Sequence, residues 1–161
     1  MVRVDGFDEF FATHYRGVVT ALEFAVLDRS LAEDAAQEAF VRALRRWRTV
    51  AHTDRPATWV YVVAMHEARR QLRRRMRQPR DIAKGNVTDV AVAVTEGVPL
   101  RDALARLPPR QRQAVTLRFL ADLPVADIAR AMGCKQGTVK STLHAALTSL
   151  RVELDDSEGG L

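Results

Sequence analysis

The 161-residue sequence predicts an all-α protein: two small helical domains joined by a flexible linker, the second containing a helix-turn-helix. Three observations carry that expectation. Apolar residues recur at helical spacing over most of the chain. Aromatics are only 6% of a composition that is 47% hydrophobic, which suits Ala-, Leu- and Val-based helix packing better than an aromatic-rich β-sandwich. The texture changes over 79–99, where Pro79, Gly85, Asn86, Gly97 and Pro99 replace large side chains. The expected units are therefore 1–78, a linker over 79–99, 100–154 and an acidic, frayed tail over 155–161.

The first helix is expected from about Phe7 to Leu27, with Phe7, Phe10, Phe11, Val18, Leu22 and Ala25 on one stripe. After a break at Asp28-Arg29, Ser30 and Glu33 fit a capping box. The second helix then runs to about Trp47, burying Ala36, Ala39, Phe40, Ala43, Leu44 and Trp47. A polar loop spans Arg48 to Arg55, and Pro56 sits where a first helical turn tolerates proline. A third helix follows over 57–77, with Trp59, Val62, Val63 and Met65 near its start. In the linker, Val90-Ala91-Val92-Ala93-Val94 has β-like composition but no partner strand. Helical pattern returns over 100–107 and, after Pro108-Pro109, from Arg110 to about Leu120.

Charge narrows the function. Lysine and arginine total 25 against 20 acids, a net +5. The excess is local: from Arg42 to Arg80 there are twelve arginines against only Asp54 and Glu67, so the remainder is net acidic. A helix C-terminus favours a few cations, but seven arginines between 69 and 80 exceed that need and point to phosphate contacts. A membrane surface fits less well, because the segment lacks a broad apolar face. No apolar run is long enough to span a bilayer, and the acidic N-terminus lacks the pattern of a signal peptide. A soluble, cytoplasmic protein without membrane insertion is expected. Cys134 is the one cysteine, so neither an internal disulfide nor a cysteine-built zinc site is available.

The most informative stretch is 125–141. Ile128 and Met132 share a face, Ala129 is small enough for a close helix crossing, and Gly133 falls where a helix must end in a left-handed residue. Val139, Leu143, Ala146, Leu147 and Leu150 form the buried stripe of the next helix. Lys135, Gln136, Thr138, Lys140, Ser141 and His144 are left facing outward. Short, polar and basic, that set suits a helix in a major groove. Cys134 reads as a buried turn residue.

At these positions the residues resemble a known family. Asp-Glu-Phe-Phe at 8–11, Ala-Glu-Asp-Ala-Ala-Gln-Glu-Ala-Phe-Val-Arg-Ala at 32–43 and Arg-Pro-Ala-Thr-Trp-Val at 55–60 are similar to region two of extracytoplasmic-function sigma factors. Leu-Pro-Pro-Arg-Gln-Arg-Gln-Ala-Val at 107–115 and Gly-Cys-Lys-Gln-Gly-Thr-Val-Lys-Ser at 133–141 resemble region four. The resemblance implies a promoter-specificity subunit of bacterial RNA polymerase, with no catalysis and no cofactor of its own. Its implied partners are core RNA polymerase (clamp helices and flap), promoter DNA and an anti-sigma factor. By motif, Asp34, Gln37, Glu38 and Arg42 would face the clamp; without the family they would read as a solvated helix face. Arg48, Arg55, His66, Arg69, Arg70 and Arg73 would hold the opened −10 strand, which needs a cationic groove and a pocket for a flipped base. The outward set of the second helix, with Arg118, would read the −35 element. Trp47 and Trp59 suit either base stacking or the core, their helical positions favouring the core. Departures from the family pattern bear on the promoter sequence: His66 stands where Asn is frequent, Lys135 and Pro124 where Ser is, and Thr142 and Ala145 where arginines are.

Two other functions compete. A helix-turn-helix regulator acting without polymerase would explain 100–154 but not the arginine-rich front half. A small nuclease is disfavoured: His14, His52, His66 and His144 show no metal-ligand spacing, and no phosphate-cradling glycine loop is present.

Overall fold

A computed structural model describes residues 4–78 and 97–158. Among them are eight helices and no strand: α1 Phe7–Val26, α2 Arg29–Arg45, α3 Trp47–Val50, α4 Pro56–Arg77, α5 Gly97–Arg106, α6 Pro109–Phe119, α7 Val125–Met132 and α8 Gln136–Glu158. The valine-alanine stretch 90–94 lies outside the described residues. Helix α5 begins at Gly97, so the last three residues expected in the linker are helical. Helix α8 carries through Glu158, extending over part of the expected tail.

The first unit packs α1, α2 and α4 together. Leu22, Leu31, Val60, Ala64 and Met65 are fully buried there, with Ala32, Ala35, Ala36, Ala39 and Ala43 letting the helices approach closely. Gly17 sits where an added Cβ would meet the Tyr61 hydroxyl at 3.2 Å, another sign of close crossing. The expected capping box does not form. Asp28 caps α2 instead, its extended backbone placing Oδ1 3.0 Å from the Leu31 N–H while Oδ2 takes the Arg75 guanidinium. Burial alone would push the Asp28 carboxyl up, but the Leu31 N–H and Arg75 hold it below its ordinary value.

Helix α2 stops at Arg46 rather than running through Trp47. The short α3, inside the expected loop, turns Trp47 inward: its Nε1–H donates to the Asp5 carbonyl at 2.9 Å, and its ring lies 4.9 Å from Phe10 and 5.3 Å from Phe7. Trp47 is a core residue. Leu44 and Phe11, expected on buried stripes, are exposed.

The second unit holds α5 to α8. Leu104, Leu107, Val115 and Ala146 form one small core. Gly133 ends α7 in the left-handed conformation (φ 63°), as its position in the motif predicts, and the Cys134 N–H closes the turn on the Ala129 carbonyl at 3.0 Å. Cys134 is half-buried rather than buried. Val139 and Ala146 are buried on α8, Leu143 and Leu150 half-buried, and Leu147 is exposed, against expectation.

The two units lie against each other. Ala114, Leu117, Ile128, Ala131, Met132 and Val139 join the same apolar cluster as Leu22, Val60, Ala64 and Met65. Arg112 donates to the Ala25 carbonyl at 3.1 Å, and Arg101 reaches Glu23 at 3.2 Å and the Leu27 carbonyl at 3.4 Å.

Candidate nucleic-acid interface

Helix α8 places Gln136, Thr138, Lys140, Ser141 and His144, preceded by Lys135, on its exposed side, while Val139 and Ala146 face the core. The helical period explains the separation: 136, 140 and 144 follow one another at four-residue steps, and 139, 143, 146 and 150 line the opposite side. Ser141 Oγ donates back to the Thr138 carbonyl at 3.0 Å. The face carries two lysines among neutral donors and acceptors, a composition able to read base edges. Arg118 is placed differently. It is half-buried on α6, and its guanidinium donates to the Leu123 carbonyl at 3.2 Å, bracing the turn in which Asp122 adopts φ 53°.

A second basic face runs along α4. Six arginines crowd the end of that helix, from Arg69 to Arg77, yet three of them have internal bonds. Arg70 pairs with Glu67 at 3.4 Å, Arg75 with Asp28 at 2.6 Å, and Arg69 donates to the Ala131 carbonyl at 3.4 Å. Arg73, Arg74 and Arg77 are exposed. Partial burial lowers the Arg69 pKa, and Arg110 and Arg73 nearby lower it further, so positive potential concentrates there. Arg48 and Arg55 are exposed on either side of the α3–α4 connection.

The His66 ring nitrogen Nε2 bonds the Arg130 carbonyl at the end of α7. Beside it, a cleft of about 540 Å³ opens between the 53–55 loop, α4 and α7; Arg55, Trp59, His66, Asp127 and Arg130 are among its lining. Trp59 is half-buried on that wall, unlike Trp47. Asp127 and Arg130, ion-paired with each other, bring the second unit into this cleft, a juxtaposition no local pattern announces.

On α2, Asp34 and Gln37 are exposed and Glu38 is half-buried. Gln37 reaches the Tyr15 hydroxyl at 3.5 Å. Arg42, expected beside them, is drawn inward: Nε lies 2.8 Å from Glu38 and Nη2 3.2 Å from Glu67. Glu67 is the residue sequence reasoning overlooked. It is 5% exposed and takes Arg42, Arg70 and Gln71. Burial favours its neutral form, but Gln71, Arg70 and Arg42 outweigh that and hold its carboxyl below the ordinary value. A lone acid with Arg70 at i+3 and Gln71 at i+4 was the available signal. Among the described residues no group of histidines, cysteines and acids could hold a metal ion, and no helix is long and apolar enough to cross a membrane.

Comparison with known proteins decides the family. Residues 10–78 match Sigma-70 region 2 and residues 98–150 match Sigma-70, region 4. The RNA polymerase sigma-E factor of Streptomyces avermitilis is 30% identical over 155 residues, covering 94% of this chain and 87% of that protein. The chain belongs to the extracytoplasmic-function sigma factors. It is an alternative sigma factor, a protein of transcription initiation. The ECF RNA polymerase sigma factor BldN of Streptomyces coelicolor is also 30% identical, over 161 residues; the match takes in 93% of this sigma factor but spans only 59% of BldN. Among solved structures, the sigma factor RpoE of Bartonella quintana, in complex with the anti-sigma factor NepR, has the same fold. Its TM-score is 0.71 at 20% identity, over 94% of this chain and 98% of that one. CnrH, in complex with the cytosolic domain of CnrY, gives 0.60 at 16% identity, over 93% and 88%.

Proposed function

We propose that this sigma factor directs core RNA polymerase to promoters whose −35 element is read by α8 and whose −10 strand is held by α4 and the loop before it. The observation that carries the reading is the exposed polar face of α8, in the same chain as a separate arginine-rich face on α4. In this reading Lys135, Gln136, Thr138, Lys140, Ser141 and His144 contact −35 bases and phosphates, and Arg118 supports them by bracing the α6–α7 turn. Arg48, Arg55, His66, Arg69, Arg70 and Arg73 form the cationic track for the opened strand, with the 540 Å³ cleft beside Trp59 available for a flipped base.

Asp34, Gln37 and Glu38 present the polymerase face of α2, and Arg42 orders Glu38 there through their 2.8 Å pair. The clamp helices are the expected contact of this face, and the flap that of the second unit. The protein has no catalysis of its own and works in the cytoplasm, where its polymerase is. Two solved relatives of the same fold are bound by NepR and CnrY, and an anti-sigma factor is the corresponding partner here.

In vitro transcription with core polymerase over a randomised promoter library tests the reading. Selected promoters should share two separated elements, and Lys140→Ala with Ser141→Ala should weaken use of the upstream one by about 1–3 kcal/mol per lost base contact. A library that yields no transcript above core polymerase alone would refute it.

A further inference from the structure

Helices α6 and α7 both pack on α8, and an open trough of about 520 Å³ lies between the start of α6 and the second and third turns of α8. Pro108, Pro109 and Arg110 form one wall; Ser141, Thr142 and Ala145 form the other. Thr142 and Ala145 are short, which keeps the trough open, and no acid is among its lining. The rings of Pro108 and Pro109 fix the backbone as it enters α6, and the Arg112 N–H bonds the Pro108 carbonyl at 3.0 Å, so the Arg110 backbone is held rigidly. Arg110 is exposed and, among the described residues, has no carboxylate partner. Arg69, whose pKa it helps to lower, is a like-charged neighbour. A cation so placed has no internal anion to satisfy it.

The charge along α8 shows what the trough is for. Lys135 and Lys140 lie at its N-terminal end, but from Ser141 to Leu150 the helix has no lysine or arginine. That span still contributes Ser141 and His144 to the exposed polar face. A helix about 10–12 Å across fills a major groove about 12 Å wide, so the two phosphate ridges of the duplex run along its flanks. In a helix-turn-helix the first helix, here α7, crosses the backbone on one side. The flank beside α6 is the trough, where α8 offers a ridge no cation of its own and Arg110 supplies one from the opposite wall.

We propose that the trough between α6 and α8 seats a backbone phosphate of the −35 duplex, clamped by Arg110. The inference rests on α8 lying in the major groove of that element. Ser141 belongs to both surfaces, so the phosphate seat is continuous with the base-reading face. A contact of this kind fixes the register of α8 on the duplex and carries no sequence information itself.

The test uses holoenzyme assembled from core polymerase and the full chain, on a promoter selected by the unmodified protein. Binding is measured between about 50 and 200 mM salt, on duplexes in which single methylphosphonates replace the phosphates around the −35 element one at a time. Arg110→Ala should bind about fivefold more weakly at about 150 mM salt, with a salt slope smaller by about 1. One methylphosphonate should weaken the parent by a similar factor and leave Arg110→Ala unaffected. The loss should be equal on promoters of different −35 sequence, and Arg110→Lys should keep most of the slope. An Arg110→Ala protein that responds to every methylphosphonate as the parent does would overturn the proposal. So would a loss that varies with the −35 bases, or one that accompanies a lowered Tm or impaired assembly with core polymerase. Lys140→Ala with Ser141→Ala tests the premise separately. Unchanged use of the upstream element by that variant would sink the −35 assignment of α8, whatever Arg110 does.

Discussion

Glu67→Gln isolates the buried carboxylate that ties α2 to α4. The substitution keeps the side-chain volume, so no cavity forms and the change is one of charge. Glu67 has a side chain 6% exposed, whereas those of Arg42 and Arg70 are 39% and 50% exposed. Breaking a fully buried pair costs about 3–5 kcal/mol and an exposed one about 0–1 kcal/mol. Here the acid is dry and its partners are half wet, and both arginines can turn to water once released. A loss of about 2 kcal/mol follows, in the range of charged hydrogen bonds, or about 4–8 °C in Tm for a chain of this size.

The pH dependence has a definite sign. The folded carboxyl is held below its ordinary value of 4.5, so its contribution is complete above that value and is lost as pH falls through the folded pKa. Glutamine does not titrate. Urea unfolding of both proteins between pH 7 and pH 4 should therefore show the gap constant down to about pH 5 and shrinking below about pH 4.5. A variant within about 0.5 kcal/mol of the parent at pH 7 would refute the reasoning, because that is the ordinary spread of surface changes. So would a gap that stays unchanged in acid.

Three further outcomes are expected. Trp47→Phe removes the bond to the Asp5 carbonyl and opens space beside Phe7 and Phe10, costing about 2 kcal/mol by urea unfolding; unchanged stability with weakened single-strand binding would instead mark Trp47 as a stacking platform. Asp28→Ala should lose about 1–2 kcal/mol and Asp28→Asn less than half of that, since asparagine caps a helix as well as aspartate and only the Arg75 pair is given up; equal losses would place the whole effect in the ion pair. Gly133→Ala should cost about 1 kcal/mol through its left-handed backbone, because the added Cβ would meet Arg69 at an ordinary 3.5 Å; a stabilised protein by thermal melting would show that the turn relaxes.

Helical periodicity made most of the fold legible. Helices α1, α4, α6 and α7 fall within a residue or two of where apolar spacing, Pro56 and Gly133 set them. The α2 boundaries were harder, because both depend on distant residues. Ser30 and Glu33 satisfy a capping pattern, but Asp28 takes the cap, and a second oxygen on Arg75, 47 positions away, secures it. Trp47 continues the α2 stripe on paper; the chain breaks at Arg46 because the indole has an acceptor at Asp5 and two phenylalanines to lie against. Leu44 and Leu147 sit at stripe edges, where the direction of the neighbouring helix, not the period, decides burial.

The two faces proposed to contact DNA differ in legibility for a physical reason. Which residues of α8 point outward is fixed by a single helix against its own core, so a spacing of 3.6 residues suffices. The capacity of α4 is a balance of charges, and charge counting in one dimension overstates it. Arg42, Arg69, Arg70 and Arg75 all look available in sequence, but each has an internal acceptor supplied by another turn or another helix. What survives as open cation is Arg73, Arg74 and Arg77, together with Arg48 and Arg55 at the loop. Such a set tracks a backbone rather than reading bases, since exposed arginines on one helix face meet phosphates in any sequence. In the proposed reading, sequence discrimination at the opened strand falls to the cleft beside Trp59 and His66, where shape rather than charge is available.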